Sequence, residues 1–537
     1  MSTQDINTAG ALKIRELSVQ YAQGYKALKD VTLAIPDGQI VAIVGESGSG
    51  KSTLAKSLIG LLPRDATVEG RIEIRSENVL EYTPSQWRTL RGVGVGLVPQ
   101  DPGASLDPVR TIGSQIIEVF KLHPARAGAR SSWKQNAIDL LESVGIDRAE
   151  YRLSQYPHEL SGGLKQRVLI AIAFALNPKL LIADEPTSAL DVTVQRKVLE
   201  VFVKLARERG TTVLFVTHDI AVATDIADRV LVMNSGSILE DRAVRELVTQ
   251  SVNPYTKALI AHSTIEPHQK DSSGLSETAL EVKNLVKTFG DGKSAHVAVN
   301  NVSFSVPKGT TFSLVGESGS GKSTTAKIML SLISPDSGQV LVNGLDVTNA
   351  KGNQRRDLWR EVQFVFQNPD SALDPRHSVE RIIAEPLVNF KLGSRSERER
   401  RVTELLDSVN LPDRVRTKRP AELSGGQRQR VAIARALAAG AQILVLDEAL
   451  SALDVLTQEQ ILSLLNRLQK EAGLTYLFIS HDLKVVERIS DNVGVLKNGE
   501  LVEVGPASDI FANPQNDYTR TLLDSAPGQV LKELVGV

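Results

Sequence analysis

The chain is 537 residues long, contains no cysteine, and sets 62 lysines and arginines against 63 aspartates and glutamates for a formal charge of −1. That length exceeds what one hydrophobic core supports, so at least two domains are expected. The missing cysteine excludes disulfides, thiol chemistry and cysteine-ligated zinc or iron–sulfur sites, and the even charge argues against a protein living on nucleic-acid phosphates. In chain order, Met1–Gly10 is polar and lacks the basic and apolar regions of a signal peptide. Tyr21 sits on an early β segment, and Val31–Ile35 alternates as a half-exposed strand. Ile40–Val44 is a continuous apolar run, the pattern of a buried parallel strand. It leads into Gly45-Glu46-Ser47-Gly48-Ser49-Gly50-Lys51-Ser52-Thr53 and then into helical spacing over Lys51–Leu62. Gly70–Ile74 alternates again, Leu97-Val98-Pro99 ends at Gln100, and Ser131–Val144 has helical spacing. Leu160-Ser161-Gly162-Gly163 opens a helix that runs to Ala175; Leu180–Ala183 ends in Asp184-Glu185, and Val213–Val216 in Thr217-His218-Asp219.

The order then repeats. Gly316-Glu317-Ser318-Gly319-Ser320-Gly321-Lys322-Ser323-Thr324 copies the first loop 271 residues on, after the strand Thr311–Val315 and before helical spacing over Lys322–Ile333. Phe289 occupies an early β segment, Phe364-Val365-Phe366 ends at Gln367, and Glu399–Val409 has helical spacing. Leu423-Ser424-Gly425-Gly426, Asp447-Glu448 and His481-Asp482 all return at an offset of 263. Loop-length change accounts for the drift from 271. The expected domains are residues 1–262 and 279–526, joined by a polar linker at 263–278 and followed by a tail at 527–537 with no assigned role. Each should be an α/β nucleotide-binding core with an antiparallel β portion and a helical insert. No apolar run approaches the ~18–20 residues that span a bilayer, so membrane association is expected only through a partner.

Strand, Gly-x-x-x-x-Gly-Lys-Ser, helix is a phosphate-binding loop. Its glycines let the backbone wrap phosphate oxygens, and its amides and the helix end attract the anion. Lys51 and Lys322 suit the β/γ-phosphates, and the Ser52 and Ser323 hydroxyls suit Mg²⁺. Two copies imply two nucleoside triphosphates. Asp184 and Asp447 suit the Mg²⁺ hydration shell, while Glu185 and Glu448, one residue on, suit a general base. His218 and His481 suit a γ-phosphate contact in the transition state, without a second ligand at metal spacing. Gln100 and Gln367 can touch Mg²⁺ or water and swing away, or simply begin a polar loop. Ser161-Gly162-Gly163 and Ser424-Gly425-Gly426 are second anion sites or ordinary helix caps. An economical arrangement faces the loop of one half with the Ser-Gly-Gly helix of the other, the γ-phosphate bridging them. Tyr21 and Phe289 suit adenine stacking or a place in the core.

Together these residues resemble the ATP-binding cassette (ABC) family over nearly the whole chain. The matching motifs are Walker A (Gly45–Thr53, Gly316–Thr324), Q-loop (Gln100, Gln367), signature (Leu160–Gly163, Leu423–Gly426), Walker B (Asp184, Asp447), catalytic glutamate (Glu185, Glu448), D-loop (Ser188–Asp191, Ser451–Asp454) and switch histidine (His218, His481). The resemblance implies two P-loop nucleotide-binding domains in a head-to-tail arrangement, each ATP between one Walker A and the opposite signature. The sequences Gln100–Pro108, Gln367–Pro375, Tyr156-Pro157-His158-Glu159 and Asn253-Pro254-Tyr255-Thr256 resemble the peptide and nickel importer branch, and fusion of two cassettes resembles bacterial microcin C/peptide and glutathione importers. It further implies ATP and Mg²⁺ as cofactors, two transmembrane permease subunits contacted after each Q-loop, a periplasmic binding protein delivering peptide, and a place on the cytoplasmic face of the inner membrane. Glutathione, opine and nickel are alternative cargoes. A soluble tandem ATPase acting on ribosome or DNA is the alternative class, but such proteins tend to carry a long, charged inter-domain helix or a large insertion, and His262–Thr278 offers only Lys270 as a fixed positive charge. Leu164 in place of a signature glutamine, Ala449-Leu450 in place of Pro186-Thr187, and Pro420-Ala421-Glu422 without the first half's histidine are departures. None removes a catalytic group, so two hydrolysis-competent sites are expected.

Overall fold

The computed structural model describes residues 10–22, 24–188, 190–264, 277–290, 295–451 and 453–536. Residues 265–276 of the expected linker, the first nine residues, and Ala189 and Ala452 of the two D-loop segments lie outside them. The chain divides into two compact units: Met1–Thr264 with Pro527–Val537, and Ile265–Ala526.

In the first unit a six-stranded sheet runs Ser237–Ala243, Arg229–Asn234, Ile40–Val44, Thr212–Thr217, Leu180–Asp184, Val95–Val98. All neighbours are parallel except the Ser237–Ala243 edge strand, which returns from Arg229–Asn234 as a hairpin. The central strands are covered on both faces, which is why Ile40–Val44 and Thr212–Thr217 are buried at every position and carry no polar alternation. A second sheet, Lys26–Ile35, Leu12–Gln20, Thr67–Ile74, Glu77–Asn78, is antiparallel. Its inner residues Leu12, Ile14, Leu33 and Ile35 share one core with Val41, Ile43, Ile182 and Val216 of the parallel sheet. The helical insert sets Ile112–Leu122 and Trp133–Ser143 against Gly162–Phe174.

The second unit repeats both sheets: Val362–Val365, Ile443–Asp447, Thr475–Ile479, Thr311–Val315, Asn492–Lys497, Glu500–Pro506, and His296–Pro307, Thr278–Phe289, Ser337–Val342, Leu345–Asp346. In each unit the strand before the phosphate loop pairs in parallel with the strand that ends at the histidine, and that one with the strand that ends in Asp-Glu. Parallel pairing puts all three carboxyl ends on one edge, where open α/β sheets bind ligands.

Two details differ from expectation. The helices after the loops stop at Leu58 and Met329 rather than near Leu62 and Ile333. Gly60 (φ 64) and Ser331 (φ 52) turn the chain into the left-handed region, and Leu61 and Leu332 donate back to the Lys56 and Lys327 carbonyls, both at 2.9 Å. A Cβ on Gly60 would lie 2.4 Å from the Trp87 indole, so the first turn requires glycine. Part of the drift in offset lies in the helical insert: the signature serine follows the glutamine by 61 residues (100 to 161) in the first half and 57 (367 to 424) in the second. Two of the four extra residues precede the helix ends at Val144 and Val409 (100 to 144 against 367 to 409), where the first half adds the short helices Pro124–Ala127 and Arg130–Ser132; the other two lie between those ends and the signature serine (144 to 161 against 409 to 424).

The tail has a structure. Its helix Gln529–Val535 packs on Ile220–Ile226 and Val244–Gln250 of the first unit, with Leu531 fully buried. The Gly528 and Val530 amides donate to the Asp225 carboxylate at 2.6 and 3.1 Å, an anion at the positive end of the helix. Replacing Leu531 by alanine removes about 2 kcal/mol or more of docking energy, a rise of roughly 30-fold in the undocked fraction. Limited proteolysis read by mass spectrometry should show the C-terminus released correspondingly faster, with the rest of the digestion pattern unchanged.

Candidate functional site

The loops begin where a side chain has no room. A Cβ on Gly45 would lie 2.1 Å from the Met233 carbonyl oxygen, and one on Gly316 2.1 Å from that of Leu496. Gly48, Gly50, Gly319 and Gly321 take positive φ, and Gly50 and Gly321 are the residues from which the helices Lys51–Leu58 and Lys322–Met329 start. The loops curl around buried ammonium groups. Lys51 Nζ donates to the Gly45 and Glu46 carbonyls, each at 2.7 Å, and to Ser49 Oγ at 3.5 Å. Lys322 Nζ does the same with Gly316 and Glu317 at 2.8 Å and Ser320 at 3.3 Å. Ser47, Ser318, Thr53 and Thr324 complete the loops in sequence.

The hydroxyl after each lysine meets the first carboxylate of the Asp-Glu pair: Ser52 Oγ to Asp184 Oδ1 at 3.4 Å, and Ser323 Oγ to Asp447 Oδ1 at 3.1 Å. Burial raises Asp184 above the ordinary carboxylate range, and the Glu185 charge adds to it. Burial likewise raises Asp447 despite the Ser323 hydrogen bond, with Glu448 adding. Such a carboxylate is short of positive charge, and a serine hydroxyl beside it is a hard oxygen donor. Among the described residues no group of three His, Cys, Asp or Glu side chains is arranged to hold a metal. One carboxylate and one hydroxyl, completed by phosphate oxygens and water, is the donor set that suits Mg²⁺ rather than zinc.

The second carboxylate is held under strain. Glu185 and Glu448 adopt φ of 46 and 47, a left-handed conformation that costs a non-glycine residue about 1–2 kcal/mol. Their amides donate to the Val216 and Ile479 carbonyls at 2.9 and 2.8 Å, which ties each to the neighbouring strand. Each carboxylate then has one oxygen on a histidine and one on a glutamine. Glu185 Oε1 is 3.2 Å from His218 Nδ1, and Oε2 accepts from Gln100 Nε2 at 2.9 Å. Glu448 Oε1 is 3.4 Å from His481 Nδ1, and Oε2 accepts from Gln367 Nε2 at 2.5 Å. Burial alone would raise Glu185, but the hydrogen bond and charge of His218 outweigh it and hold the carboxyl below its usual value; His481 does the same for Glu448. Burial would lower the two histidines, and the glutamates raise them instead. An ionised carboxylate flanked by an imidazole donor and an amide is equipped to accept a proton from water.

The remaining expected residues take separate places. Ser161 caps Gly162–Phe174 through the Leu164 amide at 3.4 Å, and Ser424 caps Gly425–Leu437 through Gln427. Gln427 returns a bond from its side chain to the Ser424 amide at 3.1 Å; Leu164 cannot. Gly163 and Gly426 are packing positions, since a Cβ there would lie 2.3 Å from Val194 Cγ1 and 2.5 Å from Thr457 Cγ2; at Gly162 and Gly425 the nearest atoms are 3.7 and 3.5 Å away. Tyr21 shares a hydrogen bond with Thr53 Oγ1 at 3.0 Å. Phe289 is 41 % exposed, with Lys287 Nζ 5.6 Å above its ring. Tyr25, which the sequence did not single out, donates to the Gly48 carbonyl at 3.2 Å and lines a cavity of about 260 Å³ with Lys26, Lys29 and Ser47. Its position four residues after Tyr21, beside two lysines, was the available signal.

If Glu185 and Glu448 are the proton acceptors, the paired substitutions Glu185→Gln and Glu448→Gln should lower ATP turnover by about 10²–10⁴ while equilibrium ATP binding persists. Phosphate release and nucleotide titration on the same preparation measure the two quantities.

Comparison with known proteins agrees with the geometry. The ABC transporter family matches residues 28–188 and 299–451, and the oligopeptide/dipeptide transporter C-terminal region matches 502–532. The chain is 42% identical to the peptidoglycan transport ATP-binding protein YejF of Agrobacterium fabrum, covering 97% of each chain. It is 39% identical to the glutathione import ATP-binding protein GsiA of Salmonella typhimurium (98% of this chain, 91% of the relative) and 38% identical to the oligopeptide transport ATP-binding protein OppD of Mycobacterium tuberculosis (96% and 98%). Two phosphate loops, two strained glutamates and near-full-length likeness to transport ATPases converge: the chain belongs to the ABC transporter family and is an ATP-hydrolysing transport subunit with two cassettes.

Proposed function

We propose that this subunit powers uptake of peptides or peptide-like solutes through two membrane permeases fed by a periplasmic binding protein, working from the cytoplasmic face of a bacterial inner membrane. The observation that carries the cargo assignment is the oligopeptide/dipeptide C-terminal region at 502–532, in a chain that aligns over nearly its whole length with subunits named for oligopeptide, glutathione and peptidoglycan transport. No helix among the described residues is long and apolar enough to cross a membrane, so partners must supply the passage.

The chemistry follows from the chain's own groups. Lys51 and Lys322 exchange loop carbonyls for β/γ-phosphate oxygens of ATP. Ser52 with Asp184, and Ser323 with Asp447, hold Mg²⁺, which when bound offsets phosphate charge. Glu185 and Glu448 orient and deprotonate the attacking water. His218 and His481 fix each glutamate and donate toward the γ-phosphate. Gln100 and Gln367 report the state of the glutamate to the segment that follows them. Each ATP is clasped by the loop of one half and the Ser-Gly-Gly helix of the other, so hydrolysis loosens a clasp that both halves build. Tyr21 and Phe289 stack the adenines.

A groove beside Gln367, between residues 359–366 and the helix Val379–Asn389, offers a docking surface suited to an apolar permease helix. Phe366 and Leu332 are 44 % and 51 % exposed and, with Trp359, Phe364, Pro386 and Phe390, line a mainly apolar cavity of about 340 Å³. Phe366→Asp should abolish peptide uptake in proteoliposomes holding the subunit, its permeases and binding protein, while ATP binding by the subunit stays at the parent value. Uptake at the parent rate would remove this groove from the coupling path. Copurification with ribosomes or DNA in place of permeases would overturn the transport reading itself.

A further inference from the structure

The helices that follow the last sheet hairpin of each unit reach back to the phosphate loops. Tyr255, on Pro254–Ser263, accepts a hydrogen bond from the Glu46 amide at 3.0 Å. Tyr518, on Asp517–Asp524, accepts one from the Glu317 amide at 3.2 Å. Glu46 and Glu317 are the second residues of the two loops, and their amides belong to the peptides whose Gly45 and Gly316 carbonyls accept from the buried lysines.

The tyrosines are themselves held from both sides. Asn253 caps the first helix by accepting from the Tyr255 amide at 2.9 Å, and Asn516 caps the second by accepting from Tyr518, also at 2.9 Å. Below each cap a glutamate on the edge strand gathers the incoming backbone. Glu240 accepts from the Ser251 hydroxyl at 2.7 Å and the Val252 amide at 3.1 Å; Glu503 accepts from the Gln515 and Asn516 amides at 2.7 and 3.2 Å. The edge strands carrying Glu240 and Glu503 pair with the strands whose Met233 and Leu496 carbonyls sit behind Gly45 and Gly316. The whole device recurs at an offset of 263 residues, Glu240, Asn253 and Tyr255 answering to Glu503, Asn516 and Tyr518. The C-terminal region match covers only the second copy.

We propose that Tyr255 and Tyr518 are positioning residues for ATP binding. Each hydroxyl pins the peptide that carries the lysine's acceptor carbonyl, so the loop meets phosphate already shaped and loses less freedom on binding. The hairpin, carboxylate and capped helix are then part of the nucleotide apparatus in both cassettes rather than an appendage of the second.

The test uses the full chain and Mg-ATP. Tyr255→Phe and Tyr518→Phe keep the ring and remove the hydroxyl. Loss of one hydrogen bond per loop should raise the ATP dissociation constant by about three- to tenfold at the affected loop, with the melting temperature of the nucleotide-free protein lowered by no more than a few degrees. Hydrogen exchange of the peptide containing Glu46 should quicken in Tyr255→Phe and of that containing Glu317 in Tyr518→Phe, each leaving the other loop at its parent rate. Glu240→Gln and Glu503→Gln should move the same two readouts in the same direction. Unchanged ATP affinity and loop exchange in the phenylalanine variants, with a lowered melting temperature in Tyr→Ala, would reduce the tyrosines to packing residues and overturn the proposal. Because nothing here depends on cargo or permeases, its failure leaves the import reading intact, and the reverse.

Discussion

A buried lysine ammonium is the demand around which each cassette is built. Lys51 and Lys322 are only 5 % exposed, and an ammonium taken out of water must be surrounded by oxygen. The loop meets that demand by curling its own carbonyls inward, which requires the backbone to pass hard against the neighbouring strand at Gly45 and Gly316. That passage requires the loop to follow a central strand, and a central strand requires the unbroken apolar sequences Ile40–Val44 and Thr311–Val315. A phosphate reaching the loop would meet a charge already desolvated and already aimed.

The same sheet edge holds the opposite charge. The glutamates are forced into left-handed backbone by bonds to the next strand, and their carboxylates are then divided between imidazole and amide. Strain of this kind persists only where neighbours over-determine it, and here a strand, a histidine and a glutamine do so in both halves. The two halves nonetheless differ in how they reach this common arrangement. Where the first half has Thr187, whose hydroxyl accepts from Gln195 at 3.1 Å, the second has Leu450, whose carbonyl accepts from Gln458 at 3.0 Å. A backbone acceptor replaces a side-chain one and the loop keeps a bond from the same glutamine position. Leu164 has no such substitute: the Ser161 end of its helix lacks the returning bond that Gln427 gives Ser424.

What could be seen in the letters was whatever is local. The loops, the Asp-Glu strand ends, the histidines and the continuous apolar strands are contiguous patterns, and the repeat let each half check the other. Features made by contact across long separations were not visible. Nothing adjacent to Glu185 announces a left-handed backbone, because the cause is the Val216 carbonyl. Nothing in the sequence around Gly163 shows that Val194 packs against it and leaves no room for a Cβ. Helix ends at Leu58 and Met329 depend on a turn at Gly60 and Ser331 that helical spacing carries straight through. Tyr518 was the most recoverable of the missed residues, since the 263-residue offset applied to Tyr255 lands on it.

The route of the chain has a temporal consequence. It leaves the first unit at Thr264, builds the second, and returns to the first at Pro527. During synthesis the surface around Asp225 and the helices Ile220–Ile226 and Val244–Gln250 is therefore finished only after the whole second unit has been made. At about 5–20 residues per second that wait lasts on the order of tens of seconds. A chain cut short anywhere in the second unit would leave the first with the seat of Leu531 uncovered.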